Sequence, residues 1–174
     1  LRGKTLGVVG IGRIGQATAK MALGLGMKVI AADSYIDKVD VKVEFFDGQS
    51  ITTTIVSQSL ESLFKEADFI TLHVPAQDGY IVDEAALAIM KDGVGIVNCA
   101  RGGVIDEVAL IKALDSGKVS FAGLDVFESE PKPEMTILMH PKISLTPHIG
   151  AATGEAQDRI GTELAEQIIK LLKK

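Results

Sequence analysis

The chain has 174 residues, 47% of them apolar, with a formal net charge of −5 and no tryptophan. That length supports one compact domain with a hydrophobic core. The charge forms no basic stripe, which argues against nucleic acid as a partner, and no apolar run of about eighteen residues or charged-then-apolar leader appears, so neither a membrane span nor a signal segment is expected.

A first strand is expected near 5–9, through Leu6, Val8 and Val9. A helix near 13–25 follows, with Ile14, Ala17, Met21, Ala22 and Leu25 at helical spacing. Between them stands Gly10-Ile11-Gly12-Arg13-Ile14-Gly15. A second strand near 28–32 ends at Asp33, eighteen residues past Gly15. Strand, GxGxxG, helix, strand and acid in this order point to a dinucleotide site. The glycines permit a tight turn, a close backbone approach to a pyrophosphate, and close packing of helix on strand. The helix N-terminus supplies free N–H groups and the positive end of its dipole. Asp33 can accept from ribose hydroxyls and would repel a 2′-phosphate. No arginine follows it in Ser34-Tyr35-Ile36, so the expected cofactor is NAD rather than NADP. The competing reading is a glycine-rich turn with no ligand.

Beyond Asp33, Val41 to Phe46 and Ile51 to Val56 alternate strictly around Asp47-Gly48, a hairpin signal. Helices are then expected near 59–66, 83–91, 106–115 and 153–172, and strands near 68–72, 94–98, 119–123 and 143–145. Asp83 and Asp106 are placed to cap helices, and Gly93 and Gly117 to end them. Phe69-Ile70-Thr71-Leu72 and Ile96-Val97 read as strands buried on both faces. All five prolines fall in loops. The architecture predicted is α/β: a Rossmann-type doubly wound parallel sheet of about six strands, with an extra β-hairpin near 41–56. Ligands of such sheets bind beyond the carboxyl ends of the strands.

That rule selects candidates. Arg101 follows the strand that ends at Asn98, inside Cys99-Ala100-Arg101-Gly102-Gly103. It can grip a carboxylate bidentately or be salt-bridged to a neighbour, and the loop alone does not decide. Asp125, Glu130 and His148 follow the next two strands. A carboxylate fixes the tautomer of an imidazole and stabilises its protonated form, which makes a proton-transfer unit. Of the other histidines, His140 is expected in an exposed turn, and His73 as a structural or cofactor-wall residue. No cluster of His, Cys or carboxylates has metal-ligand spacing. The single cysteine, Cys99, has no internal disulfide partner, which suits a reducing cytoplasm.

Four ordered motifs, Val9 to Gly15, Leu72-His73-Val74-Pro75, Asn98 to Glu107, and Asp125 to the Thr146-Pro147-His148 ending, resemble the nucleotide-binding domain of the D-isomer-specific 2-hydroxyacid dehydrogenases. The resemblance covers nearly all of the chain. It implies that Arg101 binds the substrate carboxylate and carbonyl, that His148 exchanges a proton with the C2 oxygen, and that Glu130 is the partner of His148. It implies that Asp125 holds the nicotinamide carboxamide. Arg13 and Ile14 would lie against the diphosphate, and Val74, Pro75, Cys99, Ala100 and Gly150 would line the cofactor channel.

Within the family, Asn98 to Gly103 and Gly154 to Gln157 are most similar to the branch acting on 3-phospho-D-glycerate in serine biosynthesis. Glu130 in place of Gln argues against the formate-oxidising branch. Lactate and glyoxylate or hydroxypyruvate enzymes remain alternatives, as do NAD-sensing binding proteins such as corepressors.

The resemblance departs at three places. The family's substrate-binding domain would stand in front of Leu1, outside this sequence, so the chain is expected to be an excised NAD-binding domain, 1–174, that binds NAD but turns over little or no substrate. The 41–56 segment is longer than the family pattern, and the 76–82 loop is slightly short. The helix from Thr153 carries Ala156, Ile160, Leu164, Ile168, Leu171 and Leu172 as an apolar stripe. Its first half is expected to pack on the sheet. The rest, with the hairpin face of Val41, Val43, Phe45, Ile51 and Ile55, is expected to support a homodimer.

Overall fold

The computed structural model describes residues 1–173. Its elements in chain order are β1 (Thr5–Val9), α1 (Arg13–Gly24), β2 (Lys28–Ala32), β3 (Lys38–Glu44), β4 (Ser50–Val56), α2 (Leu60–Glu66), β5 (Phe69–Leu72), α3 (Glu84–Ile89), β6 (Val94–Asn98), α4 (Glu107–Ser116), β7 (Val119–Leu124), α5 (Met135–Leu138), β8 (Ile143–Leu145) and α6 (Gly154–Leu172). Six strands form one sheet in the order β2-β1-β5-β6-β7-β8, and every pairing in it is parallel. The chain therefore winds outward in two directions from β1, which opens a crevice between β1 and β5 at their carboxyl ends. Among the described residues no helix is long and apolar enough to cross a membrane.

Local chemistry sets the helix ends. Ser59, Asp83, Asp106 and Thr153 each accept a hydrogen bond from the backbone N–H three residues on. Gly117 closes α4 in the left-handed conformation, as its sequence position predicts. Gly93 does not end α3. That helix stops at Met90, whose extended backbone buries its side chain to 3% exposure, and Gly93 lies in the following turn. The one-turn helix α5 was not foreseen, because four residues show no period and no side chain caps them. It forms around Ile137, which is 1% exposed.

Alternation along β1 divides the core. Val9 joins a large cluster with Ile70, Leu72 and Ile96 under Leu63, Leu87, Leu110 and Leu114 of α2, α3 and α4. Val8 joins a smaller cluster with Ile11, Ala19, Ala31, Val41 and Ile55. Burial on both faces of the central strands is only partly realised. Ile70, Leu72 and Ile96 are fully buried, whereas Phe69 and Val97 are half-buried and Phe121 is exposed. The smaller cluster, built by α1 and the hairpin, lies on β1 and β2, so these residues of β5, β6 and β7 lie outside it.

The hairpin begins three residues earlier than its alternation suggests, and its strands are joined by a five-residue loop, 45–49. Val39 faces Ile55, Val41 faces Thr53 and Val43 faces Ile51. Val41 and Ile55 pack against the domain's own α1 and β2, so the hairpin core face is not a free interface, contrary to the sequence expectation. Only its tip, at Phe45 and Ile51, stays exposed. The expected packing of α6 on the sheet also fails: α6 buries none of its residues, and Ile160, Leu164 and Ile168 are 59%, 55% and 47% exposed. After Thr153 the chain leaves the sheet, and a paired Arg13–Glu163 ties the helix back (3.2 and 3.3 Å).

Because Ile55 is 4% exposed, Ile55→Ala should lower stability by roughly 2–4 kcal/mol, as truncation of a buried isoleucine does. Phe46→Ala, at a fully exposed position, should stay within about 0.5 kcal/mol. Urea unfolding of both variants measures this, and equal effects would mean that the hairpin does not pack on its own domain.

Candidate active site

The cofactor end is built at the carboxyl end of β1. Gly10 has a φ of 88°, and its backbone lies so close to the carbonyl of His73 that a Cβ there would overlap it. Gly12 is the N-cap of α1 and contributes no side-chain hydrogen bond. Of the six-residue or longer helices, α1 alone among the described residues has no side-chain cap. Its first N–H groups are thus left for an anion, which is what a diphosphate needs. Nothing lies within 4 Å of where a Gly12 Cβ would be, so the turn faces open space. Arg13 and Ile14 are exposed beside it, and Gly15 is buried against β1.

Asp33 has a structural task that its sequence position did not announce. Its Oδ2 accepts from the Ile11 N–H (2.8 Å), and its Oδ1 from the N–H groups of Tyr35 (2.8 Å) and Ile36 (3.1 Å). The carboxylate thereby joins the glycine turn to the end of β2. Its own N–H donates to Ser57 Oγ at the exit of the hairpin (2.7 Å).

On the far side of the crevice, Asn98 shapes the arginine loop, a role that the sequence reading missed. Its side chain is buried. It donates to the Arg101 carbonyl (2.9 Å) and accepts from the Ala100 N–H (3.0 Å). The Arg101 guanidinium donates to the Ala100 carbonyl (2.6 Å) and is otherwise exposed. Among the described residues no carboxylate is paired with it, so the salt-bridged reading of Arg101 fails. Ala100 is buried and Cys99 exposed. Burial first, and then the charge of Asp125, push the Cys99 thiol up, so it stays protonated.

The third part rests on Asp125, which is 2% exposed. Its Oδ1 accepts from Thr146 Oγ1 (2.5 Å) and the Ile149 N–H (2.8 Å), and its Oδ2 accepts from the Gly150 N–H (2.8 Å). The loop so held presents His148 with a φ of 55°, a left-handed conformation that a non-glycine residue adopts only under constraint. His148 Nδ1 meets Glu130 Oε2 at 2.8 Å, while Glu130 Oε1 accepts from the Phe127 N–H (3.0 Å). With Nδ1 bound to a carboxylate, Nε2 is the nitrogen left for a substrate. Beside the pair lies a cleft of about 410 Å³ lined by Phe127, Pro133, Leu138, Leu145 and Pro147.

A second cleft, of about 640 Å³, separates the glycine turn from α6. His73 lines it, as a cofactor-wall residue would, with Nε2 3.1 Å from Thr71 Oγ1. Burial pushes its imidazole below the ordinary value, toward the neutral form. Arg159 and Glu163 also line this cleft. They were missed because α6 was expected to face the sheet, not the cofactor turn. Val74 packs on the core and Pro75 is exposed beyond it. His140 is not in an exposed turn: its side chain is 9% exposed against Asp115 (3.3 Å), at the amino end of β8 and away from the site. Among the described residues no group of three possible metal ligands occurs.

Residues 1–150 match the model of the D-isomer specific 2-hydroxyacid dehydrogenase NAD-binding domain. The chain belongs to that family, and its cofactor is NAD. It is 50% identical over 177 residues to a hydroxypyruvate reductase of Thermotoga maritima, covering 99% of this chain and 54% of that protein. A D-3-phosphoglycerate dehydrogenase of Methanocaldococcus jannaschii is 47% identical over 175 residues, covering 99% of this chain and 32% of that one. The chain thus spans about a third to a half of these relatives. Among solved structures, a D-lactate dehydrogenase from Aquifex aeolicus complexed with NAD and lactic acid is similar with a TM-score of 0.75 at 35% identity, covering 98% of this chain and 54% of that one. A putative D-isomer specific 2-hydroxyacid dehydrogenase from a Polaromonas species gives 0.82 at 31%, covering 99% and 52%.

Two carboxyls of the site sit below their ordinary values. Burial alone would push Asp125 up, but bonds from Thr146, Ile149 and Gly150, with the His148 charge, together overcome it. Glu130 is lowered first by its bond to His148, then by the Phe127 N–H. A carboxyl depressed in the folded state contributes stability above its unfolded value near ~4, and loses it as the pH falls through the folded value. Asp125→Asn should therefore be less stable than the parent at pH 7, with the gap closing on acidification below about pH 4. Urea unfolding across that range tests this, and a gap independent of pH would refute the charged role of Asp125.

Proposed function

We propose that this chain supplies the cofactor-binding and proton-transfer half of an enzyme that oxidises a D-2-hydroxy acid to the 2-keto acid, and the reverse. The observation that carries the reading is the His148–Glu130 pair, 2.8 Å apart, on a loop fixed at the carboxyl end of the sheet. Bound NAD supplies a nicotinamide ring that accepts hydride from substrate C2. Nε2 of His148 removes the C2 hydroxyl proton as the C–H bond breaks, and Glu130 stabilises the imidazolium that results. Arg101, free of any protein carboxylate, binds the substrate carboxylate through two N–H groups and so aims C2. Asp125 Oδ2 keeps a lone pair for the carboxamide of the cofactor. The free N–H groups of α1, with Arg13 beside them, would hold the diphosphate, and Asp33 would take the ribose.

We further propose 3-phospho-D-glycerate as the substrate, supported by the Asn98 to Gly103 loop and by relatives named D-3-phosphoglycerate dehydrogenase. The 50% identity to a hydroxypyruvate reductase favours a second reading, D-glycerate and hydroxypyruvate. A separate substrate-binding domain completes the site in either case. A cytoplasmic enzyme associated as a homodimer, now resting on the α6 stripe alone, fits both. A corepressor-like NAD sensor would not require a histidine held in a strained backbone by a buried carboxylate.

The full-length protein should form NADH with 3-phosphoglycerate faster than with D-glycerate or D-lactate, and the reverse order would select the second reading. His148→Ala should lower kcat by roughly a hundredfold or more while leaving NAD affinity nearly intact. Arg101→Ala should act mainly on kcat/KM. NAD should bind at least about tenfold more tightly than NADP, measured by titration of this domain. Full turnover by the His148 variant would end the proton-transfer assignment.

A further inference from the structure

Two acids outside the reacting set hold each other by the backbone. The Glu107 N–H donates to Glu128 Oε1 (2.9 Å), and the Glu128 N–H donates to Glu107 Oε1 (2.8 Å). Glu107 opens α4 directly after the arginine loop, and Glu128 lies between Phe127 and Glu130. Beside this reciprocal contact, Gly102 lies so close to the Phe127 carbonyl that any Cβ would overlap it. The hydroxyl of Tyr80 donates to Glu128 Oε2 (3.3 Å), which brings in the loop after β5.

Helix stability does not explain Glu107. Asp106 already caps α4 by accepting from the Ala109 N–H (2.9 Å). An exposed acid in the first turn would gain the same dipole attraction without losing water. Glu107 is instead 8% exposed, and no lysine or arginine pairs with it among the described residues. Burial, followed by the charges of Glu128 and Glu134, pushes its carboxyl up, against the pull of the Glu128 N–H. Burying an acid under such conditions is costly, and what it secures is the contact between two loops.

Those loops carry the two halves of the chemistry. On one side the chain runs from Glu107 back through Gly102 to Arg101. On the other, the Phe127 N–H next to Glu128 holds Glu130 Oε1 (3.0 Å), and Glu130 Oε2 holds His148 (2.8 Å). We propose that Glu107 and Glu128 are positioning residues, a clasp that fixes Arg101 relative to the Glu130–His148 pair. This rests on the roles given above to Arg101 and His148. Hydride transfer needs substrate carboxylate and C2 oxygen anchored in one geometry, and displacement by about 1 Å is enough to slow such steps severely.

The test uses this chain and needs no turnover. Glu107→Ala, Glu107→Asp and Glu107→Gln are compared by the downfield NMR signal of the His148 Nδ1 proton and by carboxyl-carbon titration of Glu130 and of the distant Asp68. Ala and the shorter Asp should weaken or abolish the His148 signal and let Glu130 titrate closer to the ordinary carboxylate range. Gln should preserve both, because its Oε1 can accept the same N–H, and Asp68 should be unchanged throughout. In the full-length enzyme, kcat/KM should fall roughly ten- to a hundredfold in the Ala variant and recover in Gln. A lower Tm with an unchanged His148 signal and Glu130 titration would overturn the proposal, as would a Gln variant no better than Ala. If Glu107→Ala does not fold, Glu107→Asp and Glu128→Ala decide by the same signals. An unsubstituted chain without the His148 signal would refute the His148–Glu130 pairing itself, and the clasp with it.

Discussion

A buried carboxylate just past the end of β7 holds the His148 loop in its shape. Asp125 has almost no contact with water, yet it accepts three hydrogen bonds from Thr146, Ile149 and Gly150. Those bonds hold the backbone on both sides of His148 and offset the cost of its left-handed conformation. A histidine on a relaxed loop would sample many rotamers, and Glu130 would have to capture it from solution. Here the backbone is fixed first, and the contact with Glu130 only sets which ring nitrogen faces the carboxylate. Leaving a buried carboxylate without its donors costs more than losing a surface pair, so the loop keeps the shape that satisfies Asp125.

The same device recurs around the crevice. Asp33 ties the glycine turn to β2, Asn98 ties the arginine loop to β6, and Glu107 with Glu128 ties two loops to each other. Each is a side chain that accepts from backbone N–H groups of a neighbouring loop. Backbone donors do not vary with rotamer, so loops anchored in this way inherit the rigidity of the sheet. The crevice is therefore shaped by polar contacts, while the apolar clusters beneath it set where the strands end.

Periodicity and punctuation made most of the fold legible. The strand positions, the caps at Asp83 and Asp106, and the αL glycine at 117 follow from local rules that tertiary structure had no reason to override. The glycine turn, Asp33, and the placing of Arg101, Glu130 and His148 at strand ends were legible for the same reason. What the sequence left hidden depends on the third dimension. An apolar stripe records that α6 has a face but not what lies opposite it, so its exposure, and the nearness of Arg159 and Glu163 to the glycine turn, could not be read. The hairpin posed the opposite problem: its inner face found Ala19 and Ala31 of its own domain. Asn98 escaped notice because an amide at a strand end shows no period, and Glu107 because acids at helix entries are common and its partner Glu128 stands 21 residues away.

The strand order bears on how the chain folds. Leu6 pairs with Phe69 where the strand order reverses, so the β1–β5 ladder must await closure of a loop of roughly sixty residues, and a sheet of such non-local contacts forms slowly. The 38–56 hairpin lies wholly within that loop and pairs only with itself. A hairpin of this kind closes in about 1–10 μs. If it closes before β5 pairs, and buries Val41 and Ile55 against α1, it shortens the path over which β5 must search for β1. In this chain the added segment can guide assembly of the sheet while standing apart from the chemistry at its far end.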